Sequence, residues 1–133
     1  MADLLKFSIP GKPEYVQMVR LAIASIAGKA NFDVEAVEDI REAVAEACKI
    51  VFCHGFDGFS NAYEIMCAIT EENMTIELSD TCRGHDLVKG DIPCRRCPDE
   101  GELAVAVMQT LMDSVEVGVD CDGNKNIRMV KNK

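Results

Sequence analysis

The sequence has no apolar run long enough to span a bilayer, and its opening MADLLKF lacks the basic start and apolar middle of a signal peptide. Neither a membrane span nor an export leader is expected, and the expected location is the cytoplasm. Basic side chains are also scarce, 14 against 23 acidic ones, giving a net charge of −9. Such a surface repels phosphate backbones and argues against nucleic acid as a direct partner. A disulfide framework is lacking too. The seven cysteines are an odd number, and Cys48, Cys53 and Cys67 lie inside apolar patterns, as the reduced thiols of a cytosolic protein do. No internal repeat and no linker stand out.

What is present is the composition of a globular domain. Hydrophobic residues make up 48 % and charged residues 28 % of 133 residues, which is one domain (1–133) long enough to bury a core. DLLKFSI (3–9) predicts a strand, stopped by Pro10 and Gly11. Pro13 suits the first turn of a helix, and Val16, Val19, Ile23 and Ile26 follow at helical spacing until Gly28 to Asn31 end it. Asp33 can cap a second helix, with Glu35 in its first turn where the positive dipole end favours an anion. Val34, Val37, Ile40, Val44, Ala47 and Val51 form its predicted buried stripe, with Glu38, Asp39, Arg41 and Glu42 largely off it.

NAYEIMCAIT and NMTIELSD predict an antiparallel hairpin around a short turn containing two glutamates. Residues 81–101, TCRGHDLVKGDIPCRRCPDEG, keep no period and predict a long, lid-like loop. A third helix resumes through Leu103, Val107 and Leu111, and SVEVGVD with KNIRMVK predicts a closing hairpin. The order β-α-α-β-β-loop-α-β-β is that of an α+β two-layer sandwich, with a mixed, mostly antiparallel sheet and helices on one face. The second helix, the loop and the third helix would frame a cleft.

This order and its wording resemble the GHKL, or histidine-kinase-like, ATPases, and among them the bacterial anti-sigma-factor serine kinases. IPGKPEYVQMVRLAIASIAGKA resembles their opening strand and helix, EDIREAVAEACKIVFCHGF the helix carrying E-A-x-x-N-A-x-x-H, and MQTLMDSVEV the segment after their last glycine box. The resemblance covers nearly the whole chain in order. It implies an ATP site with Mg²⁺, protein partners (a sigma factor or an anti-anti-sigma-like protein) and pairing as a homodimer.

The implied site is incomplete. Glu46 matches the glutamate that activates the attacking hydroxyl, and His54 matches the histidine at the end of the helix. The asparagine that would hold Mg²⁺ is Ile50, whose side chain has no lone pair. In DTCRG, Asp80 matches the adenine-binding aspartate and Gly84 the second glycine of D-x-G-x-G, but the first glycine is Cys82. In EGELAV, Gly101 matches the opening of the phosphate turn, while Glu102 and Ala104 stand where bare backbone is expected. A carboxylate facing a triphosphate costs several kcal/mol when partly desolvated.

The loop carries another pattern. Cys82-x2-His85, eight residues, then Cys94-x2-Cys97 sets four ligands in two half-sites of tetrahedral zinc spacing. Arg95 and Arg96 would favour the thiolates. A reversible Cys94–Cys97 disulfide and incidental thiols are the competing readings. Three functions follow in order of expectation: a regulator acting by protein contact with an inactive ATP site, a working serine kinase of an anti-anti-sigma partner, and a metal- or redox-responsive switch using the loop cysteines.

Overall fold

Alternation of apolar and polar residues sets the strands. The computed structural model describes residues 3–9, 13–51, 63–80, 97–119 and 125–133. Strand β1 (Asp3–Ile9) is followed by a single 3-10 turn (Pro13–Tyr15) leading directly into helix α1 (Val16–Lys29). Asn31 ends that passage with φ of 69°, the left-handed conformation that asparagine tolerates better than most residues. Helix α2 (Val34–Val51) then starts under the predicted cap, where Asp33 Oδ1 accepts the Ala36 N–H at 2.8 Å.

Strands β2 (Tyr63–Ile69) and β3 (Asn73–Asp80) form the first hairpin. Its turn is built on Thr70, whose hydroxyl oxygen accepts the N–H groups of Glu72 at 3.1 Å and Asn73 at 3.0 Å. This local bonding leaves the two glutamates at the tip in solvent. Helix α3 (Cys97–Leu111) precedes the second hairpin, β4 (Ser114–Val119) and β5 (Lys125–Asn132).

The strand order is β1-β2-β3-β5-β4, and every described pairing is antiparallel. The expected α+β sandwich with a mostly antiparallel sheet is present, and the described pairings include no parallel one. The crossover through α3 returns β4 parallel to β3, but two places away. β5 fills the gap, running against both, so no two parallel strands touch.

One sheet face is the core. Ile9, Tyr63, Ile65, Cys67, Met74, Ile76, Leu78, Ile127 and Met129 are buried there. The helices lie over it with α2 between α1 and α3, and α2 also packs on β3 and β5. The other face carries cross-strand ion pairs, Lys6 to Glu64 at 3.8 Å and Arg128 to Glu77 at 3.6 Å. These exposed pairs each contribute at most about 1 kcal/mol.

Three expectations shift in detail. Val34, the first residue of α2, is 80 % exposed, so the stripe starts at the half-buried Val37. In α3 the core face is Ala104 and Met108, continued by Met112 just past the helix, whereas Leu103 is 67 % exposed and Val107 and Leu111 are only half-buried. The predicted face was rotated by about one residue. Of the predicted 81–101 loop, residues 97–101 are already the first turns of α3, and residues 81–96 fall outside the described residues.

Candidate functional site

Helix α2 supplies the first site residue. Its inner face is fixed by Ile40, Ala43, Val44, Ala47 and Cys48, all fully or almost fully buried. That burial sets the rotation of the helix and leaves Glu46 half-buried, beside the stripe and not in it. Ile50 lies one turn further along the same helix. His54 falls outside the described residues.

Asp80 is the last residue of β3 and pairs in register with Tyr63, which is buried at the start of β2. Since α2 packs on β3, the structure brings the helix with Glu46 and the strand ending in Asp80 into one layer contact. Cys82, Gly84, His85 and Cys94 fall outside the described residues. Of the four predicted zinc ligands only Cys97 lies within them, as the first residue of α3. Among the described residues no group of three or more His, Cys, Asp or Glu side chains could hold a metal ion.

The glycine box takes a form the sequence reading did not anticipate. Gly101, Glu102 and Ala104 are not a turn that opens a helix, because α3 has already run from Cys97. Ala104 is 1 % exposed and belongs to the same buried cluster as Ala43, Ala47 and Met108. Its methyl group faces the core. A helix-start signal was available in the sequence: Pro98 suits a first helical turn, and Asp99 and Glu100 follow it as acidic first-turn residues do.

Two further residues were missed. Lys131 on β5 is largely buried and donates from Nζ to the Leu111 carbonyl at 2.6 Å, at the C-terminal end of α3. The same Nζ lies 3.5 Å from Asp39 Oδ2 on α2. The two partners are 92 residues apart in sequence, and no local pattern announces such a pairing.

The thiols of Cys48 and Cys67 are chemically quiet. Cys48 and Cys67 are free and buried. Burial raises the Cys48 thiol pKa to about 12, against a smaller lowering effect of Arg20, and burial alone raises that of Cys67 to about 12. A neutral buried thiol is a poor nucleophile and a poor metal ligand. Arg20 itself spans the α1–α2 surface, with Nη2 3.2 Å from Glu42 and Nη1 donating to Gln17 at 3.3 Å.

A cavity of about 570 Å³ opens at the far end of the sheet from Asp80, lined by Asp3, Leu5, Ile26, Ile69 and Lys133 among others. It contains none of the motif residues. Chemistry therefore places the candidate site at α2, the end of β3 and α3, away from that hollow.

Comparison with known proteins identifies the family. The model of a family described as the histidine kinase-like ATPase domain matches residues 9–131. The chain belongs to this family. It is similar to the serine-protein kinase RsbW of Bacillus pumilus, 32 % identical over 126 residues that cover 86 % of this chain and 78 % of that protein. The serine-protein kinase RsbW of Listeria monocytogenes serotype 4a is 32 % identical over 129 residues, covering 90 % and 82 %. That of Bacillus licheniformis is 31 % identical over 129 residues, covering 90 % and 80 %. No described helix is long and apolar enough to cross a membrane.

Proposed function

We propose that this histidine kinase-like domain is a cytoplasmic regulator of the anti-sigma type, acting by protein–protein contact and not by phosphoryl transfer. Its relatives are named serine-protein kinases, and the reading departs from that name at the site residues. The observation that carries it is the donor set. Ile50 stands at the metal position, and a hydrocarbon side chain offers Mg²⁺ no lone pair. Mg²⁺ binding by oxygen donors and phosphate neutralisation go together in nucleotide sites, so the loss of one undermines the other. Ala104, turned into the core, supports the same conclusion, as does Cys82 in place of a glycine. The residues present do not fit Mg-ATP, and Glu46, Asp80, Gly84 and Gly101 are vestiges of the site.

The partner is a sigma factor or an anti-anti-sigma-like protein. The chain is read as one domain, with the lid-like loop expected from the sequence at 81–101 ahead of the core-packed part of α3, and the family arrangement is a homodimer. Isothermal titration with Mg-ATP and Mg-ADP, beside binding and phosphorylation assays with the source organism's purified sigma and anti-anti-sigma proteins, tests the reading. Binding of one such protein without nucleotide and without phosphoserine is the expected result. A micromolar, Mg²⁺-dependent nucleotide affinity or a phosphorylated partner would overturn it.

The retained Glu46 and the names of the relatives favour a second reading, a working serine kinase, and the same two assays decide it. The loop cysteines carry a third. Close to one zinc per chain, lost in Cys94→Ser, would make Cys82, His85, Cys94 and Cys97 a metal switch, whereas a Cys94–Cys97 bridge under mild oxidation would make it a redox one.

A further inference from the structure

We infer that the chain folds its former phosphate turn into helix α3 by itself, so that this helix is fully formed without a nucleotide and the helical layer is held in one state. The inference rests on the reading of the site as vestigial and adds what took the place of the ligand: the protein's own backbone and Lys131.

Phosphate-binding turns work because their backbone N–H groups have no intramolecular acceptor. Helix α3 begins at Cys97, so the amides of residues 101 to 104 lie past the first turn. Helical geometry commits them to the carbonyls of residues 97 to 100. No free donor is left at Gly101, Glu102 or Ala104 for an anion to take.

Packing and bonding hold the helix in that position. Ala104, Met108 and Met112 recur every four residues and enter the core beside α2. At the other end the last turn is tied to β5. Lys131 Nζ donates to the Leu111 carbonyl at 2.6 Å, and the Asp113 N–H donates to the Val130 carbonyl at 2.9 Å. The Asn132 N–H donates to Asp113 Oδ2 at 2.6 Å. Through its ion pair with Asp39, Lys131 joins α3, α2 and the sheet at one point. Lys131 is thus a positioning residue for the helical layer.

Amide hydrogen exchange read by mass spectrometry on the full chain, alone and with Mg-ADP, tests the inference. Peptides covering residues 101–111 are expected to be protected in the free chain and to change by less than roughly twofold with Mg-ADP. In Lys131→Met the C-terminal half of that stretch is expected to exchange several-fold faster, with nucleotide unable to reverse it. Unprotected exchange at residues 101–104 in the free chain, or protection gained by roughly tenfold or more on adding Mg-ADP, would overturn it. Unchanged exchange in Lys131→Met would remove Lys131 from its assigned role. These outcomes are separate from the fate of the regulator reading: a protected α3 together with a phosphorylated partner would leave this inference standing and sink the other.

Discussion

Helices α2 and α3 lie side by side on the same sheet, yet they bury themselves by different means. α2 is the middle helix, flanked by α1 and α3, and it turns a broad face of Ile40, Ala43, Val44, Ala47 and Cys48 inward. Its outer face carries Glu35, Glu38 and Glu42, with Arg20 and Arg41 paired to two of them. Among the described helices α3 is at the edge of the layer; it buries the narrower stripe Ala104 and Met108, with Met112 just past its end, and leaves Leu103 in solvent. A helix between two neighbours is oriented by the division between its apolar and charged faces. An edge helix with apolar residues around much of its circumference is oriented by which side chains fit the helix beside it. Small Ala104 and flexible Met108 fit close to α2, where the branched Leu103 does not face.

The comparison breaks most sharply at Val44. Val44→Asp buries an unpaired charge under α2 and should cost about 4 kcal/mol or more, enough to abolish a cooperative thermal transition. A soluble, cooperatively melting Val44→Asp protein would show that α2 does not face the core as described. On α3, Met108→Ala should cost about 2 to 4 kcal/mol in urea denaturation through the cavity it leaves. A cost below about 0.5 kcal/mol would mean that the edge helix is too loosely packed to register the loss.

Lys131→Met keeps most of the stem but removes the ammonium that caps α3 and meets Asp39. A loss of about 1 to 3 kcal/mol is expected from the charged hydrogen bond and the stranded Leu111 carbonyl. If Asp39→Asn in the Lys131→Met background costs as much as it does alone, the two residues are not coupled.

The thiols of Cys48 on α2 and Cys67 on β2 sharpen the comparison through pH. Folding raises each pKa from 9.0 to about 12, so below pH 9 both states hold the proton and stability does not depend on these groups. Above pH 9 the unfolded chain loses protons that the folded chain keeps. Stability then falls by roughly 1 kcal/mol per thiol for each further pH unit until the folded values are reached. Replacing both by alanine should flatten that alkaline slope, and peptide-resolved alkylation near neutral pH should leave both thiols unmodified in the folded protein. The smallest effect belongs to Leu103→Ala, expected within about 0.5 kcal/mol because little apolar area is lost from the core. A larger cost would return the α3 face to Leu103, Val107 and Leu111.

The sequence by itself determined the element order, the Asp33 cap, the two hairpins and the inner face of α2, because each depends on spacing or on chemistry within a few residues. It also determined that position 50 offers no metal ligand, since an isoleucine lacks one wherever it is placed. The tertiary structure alone decided the rotation and the early start of α3. Apolar residues on several sides of that helix left more than one face able to turn inward, and contact with α2 selected among them. It alone decided that all the described strand pairs are antiparallel, because the position of β5 between β3 and β4 is a matter of which strands meet. The bridge from Lys131 to Asp39 and Leu111 was likewise hidden, since residues this far apart in the chain become neighbours only when β5 enters the sheet beneath α2.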